Sequence, residues 1–466
     1  MRLEARALAA ALALAASGTA VTEEKTATDV RWMTLDPGHF HASLVQKEMY
    51  PGVQKKVDVY APLGQDLFEH LNRIARFNSR KDNPTAWELE IHTGPDFLER
   101  MLKERPGNVV VISGKNRSKL ERVQKSLEAG LHVLVDKPWI LEASELPGLE
   151  KALATADQKG LVAYDIMTER FEVTSELQKE LVNDKDVFGG LIPGSEQDPA
   201  VYMESVHHLK KVVAGAPNMR PVWFFDTAEQ GEGVNDIGTH LVDLVQWTLY
   251  PEQAIDAKKD FQLVAAQRWP TMIPLSEFRT VTAADFPDNI KPRVKNDVLE
   301  YFANSLVTYK LRGNAVKLSV IWDWEASHGD THYAFYRGSR SRIEVRQGSK
   351  ERYRPELYVV PANAGEKAAV LAAVSKRIAA VQSRFPKVAV SDLGSELRID
   401  VPDALRITHE DHFAQVAKRF LQYVRDRRTL PAWERPNMIA KYTLTTQGMA
   451  LARQRAPEPA PRLAPK

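Results

Sequence analysis

Two short segments carry residue types that could move a proton from a hydroxyl. The first is Gly130 to Trp139, GLHVLVDKPW, in which an apolar run ends in Asp136, Lys137 and Pro138. A proline there blocks further sheet pairing. Lys137 is then either a solvated loop lysine or a cation aimed off a strand end, where it can orient a hydroxyl and relay its proton. The second is Gly231 to Trp247, GEGVNDIGTHLVDLVQW. Asp236 and His240 stand four apart, and Asp243 and Trp247 follow three and seven residues beyond His240, so on a helix all four share a face. Asp236 could cap that helix and bias the proton of His240. The plainer alternative is a capping aspartate and an interior histidine.

Such groups need a frame, and the first half of the chain supplies one. Apolar runs at Val30–Leu35, Val57–Ala61, Leu89–His92, Asn108–Ser113, Leu131–Val135 and Leu161–Tyr164 alternate with helical patterns. That order predicts a parallel, Rossmann-like sheet with ligands at the carboxyl ends of its strands. The second half is more alternating. Leu306–Leu311 and Val316–Trp324 pair through Arg312-Gly313-Asn314, and Tyr333–Arg337 and Ser341–Arg346 pair through Gly338-Ser339. An α+β part with a large, mostly antiparallel sheet follows. The fold class is therefore α/β, with the boundary near Tyr164 to Phe171. The parts are residues 28–166 and 167–455, a Pro/Ala-rich disordered tail over 456–466, and a segment over 1–24.

That first segment has Arg2 and Arg6, an apolar run Ala7–Ala16 and the small residues Ser17 to Ala20. This is the pattern of an export signal, too short to span a bilayer, and it predicts a periplasmic or secreted protein. The 466 residues carry 63 Lys plus Arg, 61 Asp plus Glu, a net charge of +2 and no cysteine. No nucleic-acid footprint is expected, and disulfides, thiolate metal sites and a cysteine nucleophile are excluded.

Together the two segments resemble the Gfo/Idh/MocA oxidoreductases. In that family a Glu-Lys-Pro motif ends a Rossmann strand, and a Gly-Gly-Gly-x-x-x-Asp-x-Gly-x-His-x-x-Asp stretch lies in the second domain. Here Asp136-Lys137-Pro138 has Asp for Glu. Gly231-Glu232-Gly233 lacks the middle glycine, while Asp236, Gly238, His240 and Asp243 stay in register. Trp322–Pro361 and Trp433–Tyr442 resemble a subgroup with its own oxidoreductase C-terminal domain. The resemblance implies NAD or NADP as cofactor, a carbohydrate substrate and a homo-oligomer. Lys137, Asp236 and His240 become the catalytic trio: His240 as acid/base, Lys137 as hydroxyl orienter, and Asp236 as the residue that positions His240 or the sugar. The implied cofactor contacts are Asp36, Gly38, His39, Phe40, His41, Ser113, Asn116, Asp136 and Lys137. Arg170, His207, His208 and Asp243 are assigned to the substrate.

The first loop departs from the family. Instead of Gly-x-Gly-x-x-Gly it reads Asp36-Pro37-Gly38-His39-Phe40-His41. His39 and the helix-start amides could still meet a phosphate, whereas Asp36 would repel one unless turned away. The second strand ends without an acid for the ribose, and Gln65 or Asp66 could take that place. His39-x-His41 has no third metal ligand at helix spacing, so no metal is predicted. Glu169-Arg170-Phe171 is either near the site or an interdomain ion pair. Trp322-Asp323-Trp324 and His328 to His332 form a polar–aromatic cluster that either stacks on a sugar or fills a core.

Three functions fit these residues. The leading one is an NAD(P)-dependent oxidoreductase acting on a sugar or cyclic polyol. An exported enzyme lacks a cofactor pool, which favours a redox-neutral glycosidase that retains NAD. The damaged glycine loop suits a non-catalytic sugar-binding protein.

Overall fold

The computed structural model describes residues 29–213, 216–325, 328–460 and 462. The expected export segment lies outside them. Among the described residues no helix is long and apolar enough to cross a membrane.

The first sheet has six strands: β1 Val30–Leu35, β2 Val53–Ala61, β3 Glu88–Thr93, β4 Val109–Ile112, β5 His132–Val135 and β6 Ala163–Asp165. Their order is β3-β2-β1-β4-β5-β6 and every neighbouring pair is parallel. This is the strand order of a dinucleotide-binding sheet, with its switch point between β1 and β4. The inner strands read as unbroken apolar runs because both faces are covered. Alternate residues serve opposite faces. Val30, Trp32, Val109 and Val111 pack on one side against α1 His41–Leu44 and α2 Gln65–Ser79. Met33, Leu35, Val110 and Ile112 pack on the other side against α3 Phe97–Glu104, α4 Lys119–Glu128 and α5 Leu146–Gln158.

The second sheet has ten strands. Its main members are β7 Val201–His208, β8 Phe261–Pro274, β9 Val298–Leu311, β10 Asn314–Asp323, β11 Thr331–Arg337, β12 Ser341–Gln347 and β13 Glu356–Pro361. They run in the order β8-β9-β10-β7-β11-β12-β13, antiparallel throughout except for β10 beside β7. Arg312 and Gly313 both have positive φ, 49° and 82°, which makes a two-residue hairpin whose twist matches its strands. One face of this sheet packs on α6 Val173–Val182 and α7 Gly238–Leu249.

The chain then returns to the first sheet. Helix α8, His409–Arg425, lays Phe413, Val416, Ala417, Phe420 and Leu421 on the face that holds Trp32 and Val109. Helix α9, Glu434–Arg453, puts Met438 and Tyr442 on the opposite face. Its Ala440, Leu444 and Met449 join the core of the second sheet. Beyond it, the Glu458 amide donates to the Arg268 carbonyl, and Arg462 reaches the buried Glu204 carboxylate.

Candidate active site

Strand β5 ends at the carboxyl edge of the first sheet, and the Asp136 amide still bonds to the Ile112 carbonyl (2.9 Å). The next residue, Lys137, is 4% exposed. Its ammonium pairs with the Asp236 carboxylate, itself 6% exposed. Asp236 closes the one-turn helix Gly233–Asp236, just before α7 carries His240. Two glycines set that turn against β9. Gly231 has φ +90°, a left-handed conformation, and a Cβ on Gly233 would stand 2.2 Å from the Ala303 carbonyl oxygen. Glu232, where the family has its middle glycine, spends its carboxylate on Arg268 (3.1 Å) and Arg453 (2.9 Å).

The charges of this group follow from its surroundings. Burial pushes the Asp236 carboxyl upward, but the Lys137 ammonium outweighs it and holds the group below its ordinary value. His240 goes the other way. Burial, then the nearby Lys137 charge, lowers it to about 3. Its Nδ1 is buried without a hydrogen-bond partner. The expected Asp236–His240 partnership is therefore corrected. Asp236 neither caps the helix through its side chain nor orients the histidine, because Lys137 takes its charge.

The first loop is built on side chains rather than glycines. Asp36 has φ 48°, and its carboxylate turns to Arg122 (2.5 Å), away from a phosphate. His39 Nδ1 and His41 Nδ1 sit 2.7 Å and 2.9 Å from the two oxygens of Asp136. So the histidine pair has a third group beside it, supplied from the end of β5 rather than at helix spacing. Ser113 donates to the same carboxylate (2.9 Å). Lys119, fully buried, donates to the Asp136 carbonyl (2.9 Å) and to Asn116 Oδ1 (2.5 Å). Asn116 in turn donates to the Gln230 carbonyl (2.8 Å). Asp36 and Asn116 are thus committed to the protein, against their expected cofactor contacts. Helix α1 has only four residues, so the expected row of helix-start amides shrinks to one turn. Pro37, Gly38, His39 and Phe40 line a crevice whose other wall holds Gln65, Asp66, Arg73, Asn218 and Arg220.

The four substrate candidates part company. His207 and His208 share Asp330, at 3.2 Å and 2.9 Å. His207 also bonds Ser205 (2.8 Å), lies against Trp322 and is close enough to help hold Asp236 charged. Arg170 and Asp243 instead form a buried two-pronged pair (2.6 Å and 2.7 Å). Glu434 joins it through Arg170, and Lys441 through Asp243. That network lines a separate cavity of about 390 Å³ on which neither Lys137 nor His240 opens. The ion-pair alternative for Arg170 is the one observed. Trp322 is core-buried, between the His207 ring and the guanidinium of Arg220.

Other groups near the trio have partners that the sequence did not show. Glu169 accepts from His409 Nδ1 (3.3 Å), which comes from the start of α8. Burial opposes the charge on Glu169, but the bond to His409 and the nearby His240 and His412 hold it well below the ordinary glutamate value. Arg220 donates to the His208 and Leu209 carbonyls. Glu169 and His409 meet only after the second half folds back, so no local pattern could pair them, whereas Arg220 bonds a segment eleven and twelve residues before it.

Comparison with known proteins places this geometry among relatives. The family model described as "Putative oxidoreductase C terminal domain" matches residues 177–453. A putative oxidoreductase from Parabacteroides merdae ATCC 43184 is 45% identical, with 91% of this chain and 98% of that chain covered and a TM-score of 0.88. GenD2 from gentamicin A biosynthesis, in complex with NAD, is 14% identical with a TM-score of 0.56, covering 92% of this chain and 96% of that one. A point mutant of a 3-ketoreductase from Actinomadura kijaniata, with TDP-benzene and NADP, is 14% identical with a TM-score of 0.53, covering 91% and 98%. These last two share the fold. No curated protein matches the sequence.

Proposed function

The chain belongs to the family of the oxidoreductase C-terminal domain, and from that premise we propose that it moves a hydride between a hydroxyl carbon of a sugar or cyclic polyol and NAD or NADP. The observation that carries the reading is the buried Lys137–Asp236 pair at the carboxyl edge of β5, with His240 one turn beyond Asp236.

The crevice carries donor types that a dinucleotide uses. Arg73 and Arg220 line it with guanidinium groups bonded to Asn218 and to the His208 and Leu209 carbonyls, and Gln65 and Asp66 open α2 beyond β2, where ribose hydroxyls would lie. The orphaned Nδ1 of His240 marks a buried polar atom that a bound molecule can satisfy. When bound, the nicotinamide supplies the hydride chemistry. The protein's own part is proton and charge. Lys137 donates to the reacting oxygen and stabilises negative charge on it. Asp236 holds Lys137 in place through their ion pair. His240 is neutral, a weak base on its own, and receives a proton from a hydroxyl that Lys137 has made more acidic.

One contact favours a second reading, a redox-neutral glycosidase that keeps its cofactor. Trp223 Nε1 donates to Asp66 (2.8 Å) and Arg73 to Asn218 Oδ1 (3.3 Å), so residues 218–223 lie across the crevice. A molecule beneath them leaves only when those bonds open. Both readings meet one test: purify the chain without added cofactor, denature it, and weigh what is released. Stoichiometric nicotinamide dinucleotide favours the retained-cofactor cycle. An empty protein that then binds NAD or NADP favours the ordinary dehydrogenase. A protein that does neither sinks both.

A further inference from the structure

We propose that His39, His41 and Asp136 form a site for one divalent first-row metal ion. The inference rests on the reading above only for where the ion faces. His39 lines the cofactor crevice, so the ion's remaining positions take oxygen atoms of the molecule bound there.

Three observations carry it. The first is the donor set: two imidazoles and one carboxylate, whose ligand atoms all lie within 4.8 Å of one another. That set, with open positions left over, suits octahedral Fe²⁺, Mn²⁺ or Co²⁺, and also Zn²⁺. The second is spacing. Neighbouring ligands of an octahedral ion with bonds of about 2.1 Å stand about 3.0 Å apart, whereas tetrahedral ones stand about 3.4 Å apart. The two Nδ1–carboxylate separations, 2.7 Å and 2.9 Å, are hydrogen-bond lengths to the two oxygens of Asp136 that an octahedral ion could take over with little movement. The third is support. Ser113 and Lys119 hold the carboxylate and carbonyl of Asp136, and Phe413 lies 4.5 Å from the His41 ring. Held ligands of this kind cost little ordering when an ion arrives. Side-chain exposures of 13%, 8% and 2% leave one approach, past His39.

A second grouping, Asp58, Glu90 and His92, has two carboxylates and one imidazole. Its Glu90 is half exposed and paired with Lys56, and its His92 ring stacks on Tyr60 (4.3 Å). It serves as the internal control.

The ion also accounts for the altered loop. Glycines in this position let a phosphate approach backbone amides. Two imidazoles and an ion would offer positive charge to the same place by another means.

The test uses the full chain. Metal content is measured after purification without chelator, then after chelation and titration with Co²⁺ alone, read by visible absorption and elemental analysis. One equivalent is expected. His41→Ala should weaken Co²⁺ binding at least about tenfold, and His92→Ala should leave it unchanged. If His41→Ala does not fold, the milder His39→Gln decides, with a cooperative melt as its control. No bound equivalent, or an equivalent that survives His39→Gln, overturns the proposal and leaves three groups joined by hydrogen bonds. The same samples are assayed for released nicotinamide. Metal in a chain that neither releases nor then binds NAD or NADP leaves the ion site standing and the hydride reading fallen, and nicotinamide bound without metal does the reverse.

Discussion

An ammonium and a carboxylate withdrawn from water keep each other charged, and removing one strands the other. At Lys137 this gives a direct expectation. Lys137→Met should lower turnover about 10²–10⁴-fold while the circular dichroism and cooperative unfolding persist. Turnover within threefold or so of the parent would remove Lys137 from the chemistry. The Glu169–His409 pair gives a pH signature. The surroundings of His409, whose side chain is 49% exposed, pull it down in part, but the bond to Glu169 outweighs this and raises the group above its ordinary 6.5. Its contribution to stability is complete below 6.5 and is lost as pH rises through the raised value. Glu169 is lowered from 4.5, so its contribution is present above that value and is lost as pH falls through the lowered one. Between the two the pair is fully charged. Denaturant midpoints should therefore fall from about pH 6 to pH 9 more in the parent than in Glu169→Gln, and equal falls would refute the coupling. Lys137, Asp236 and His240 are legible in the sequence because each stands in a fixed local pattern. Glu169 and His409 are 240 positions apart in the chain, and no local pattern relates them.

Elements explain which strands the sequence displays. Strands β1, β4 and β5 are continuous apolar runs with turn residues at their ends, which is how a sheet covered on both faces must read. Strand β8 carries Gln262, Gln267 and Arg268, and its ladder shifts register across Trp269 and Thr271, where Pro270 has no amide to give. Its pattern is therefore hidden, and no strand is legible there. Strand β9 shows only its last six residues, because Glu300, Asn304 and Ser305 interrupt the earlier part. Helix α7 has a second function that its sequence does not display. One turn after His240, Asp243 joins Arg170 and Lys441 and ties α7 to α9. Burial raises Asp243, yet Arg170 and then Lys441 bring it down to about 2. The charge thus stabilises the fold above the ordinary 3.8, and that stabilisation fades as pH falls toward 2. Asp243→Asn leaves Arg170 and Lys441 short of an anion. It should cost about 3–5 kcal/mol in urea unfolding at neutral pH, and a loss below about 1 kcal/mol would show the network to be incidental.

At the scale of the whole molecule, the two sheets are held by what crosses between them. Trp223 over Asp66 is one such crossing. Trp223→Phe removes its donor and keeps most of its bulk, so the dissociation rate of bound nicotinamide dinucleotide should rise about tenfold, the worth of one hydrogen bond to a charged group. Exchange against labelled cofactor measures it, and an unchanged rate would show that residues 218–223 do not gate the crevice. Helices α8 and α9 are the larger crossing. Without them the first sheet bares Trp32, Val109 and their neighbours on one face and loses Met438 and Tyr442 from the other. Residues 29–171 made alone should bind a hydrophobic dye and unfold without a sharp transition.

The return of α8 and α9 also sets a schedule. A ribosome adds about 5–20 residues per second, so the strands that finish at Asp165 wait about 15–60 s for Arg453 to be made. Through that interval the nascent first half lacks α8 on the face that α1 and α2 cover only in part, and α9 on the other. A holding factor that binds apolar strands has its opportunity then, and the finished molecule, with both faces closed, gives it none.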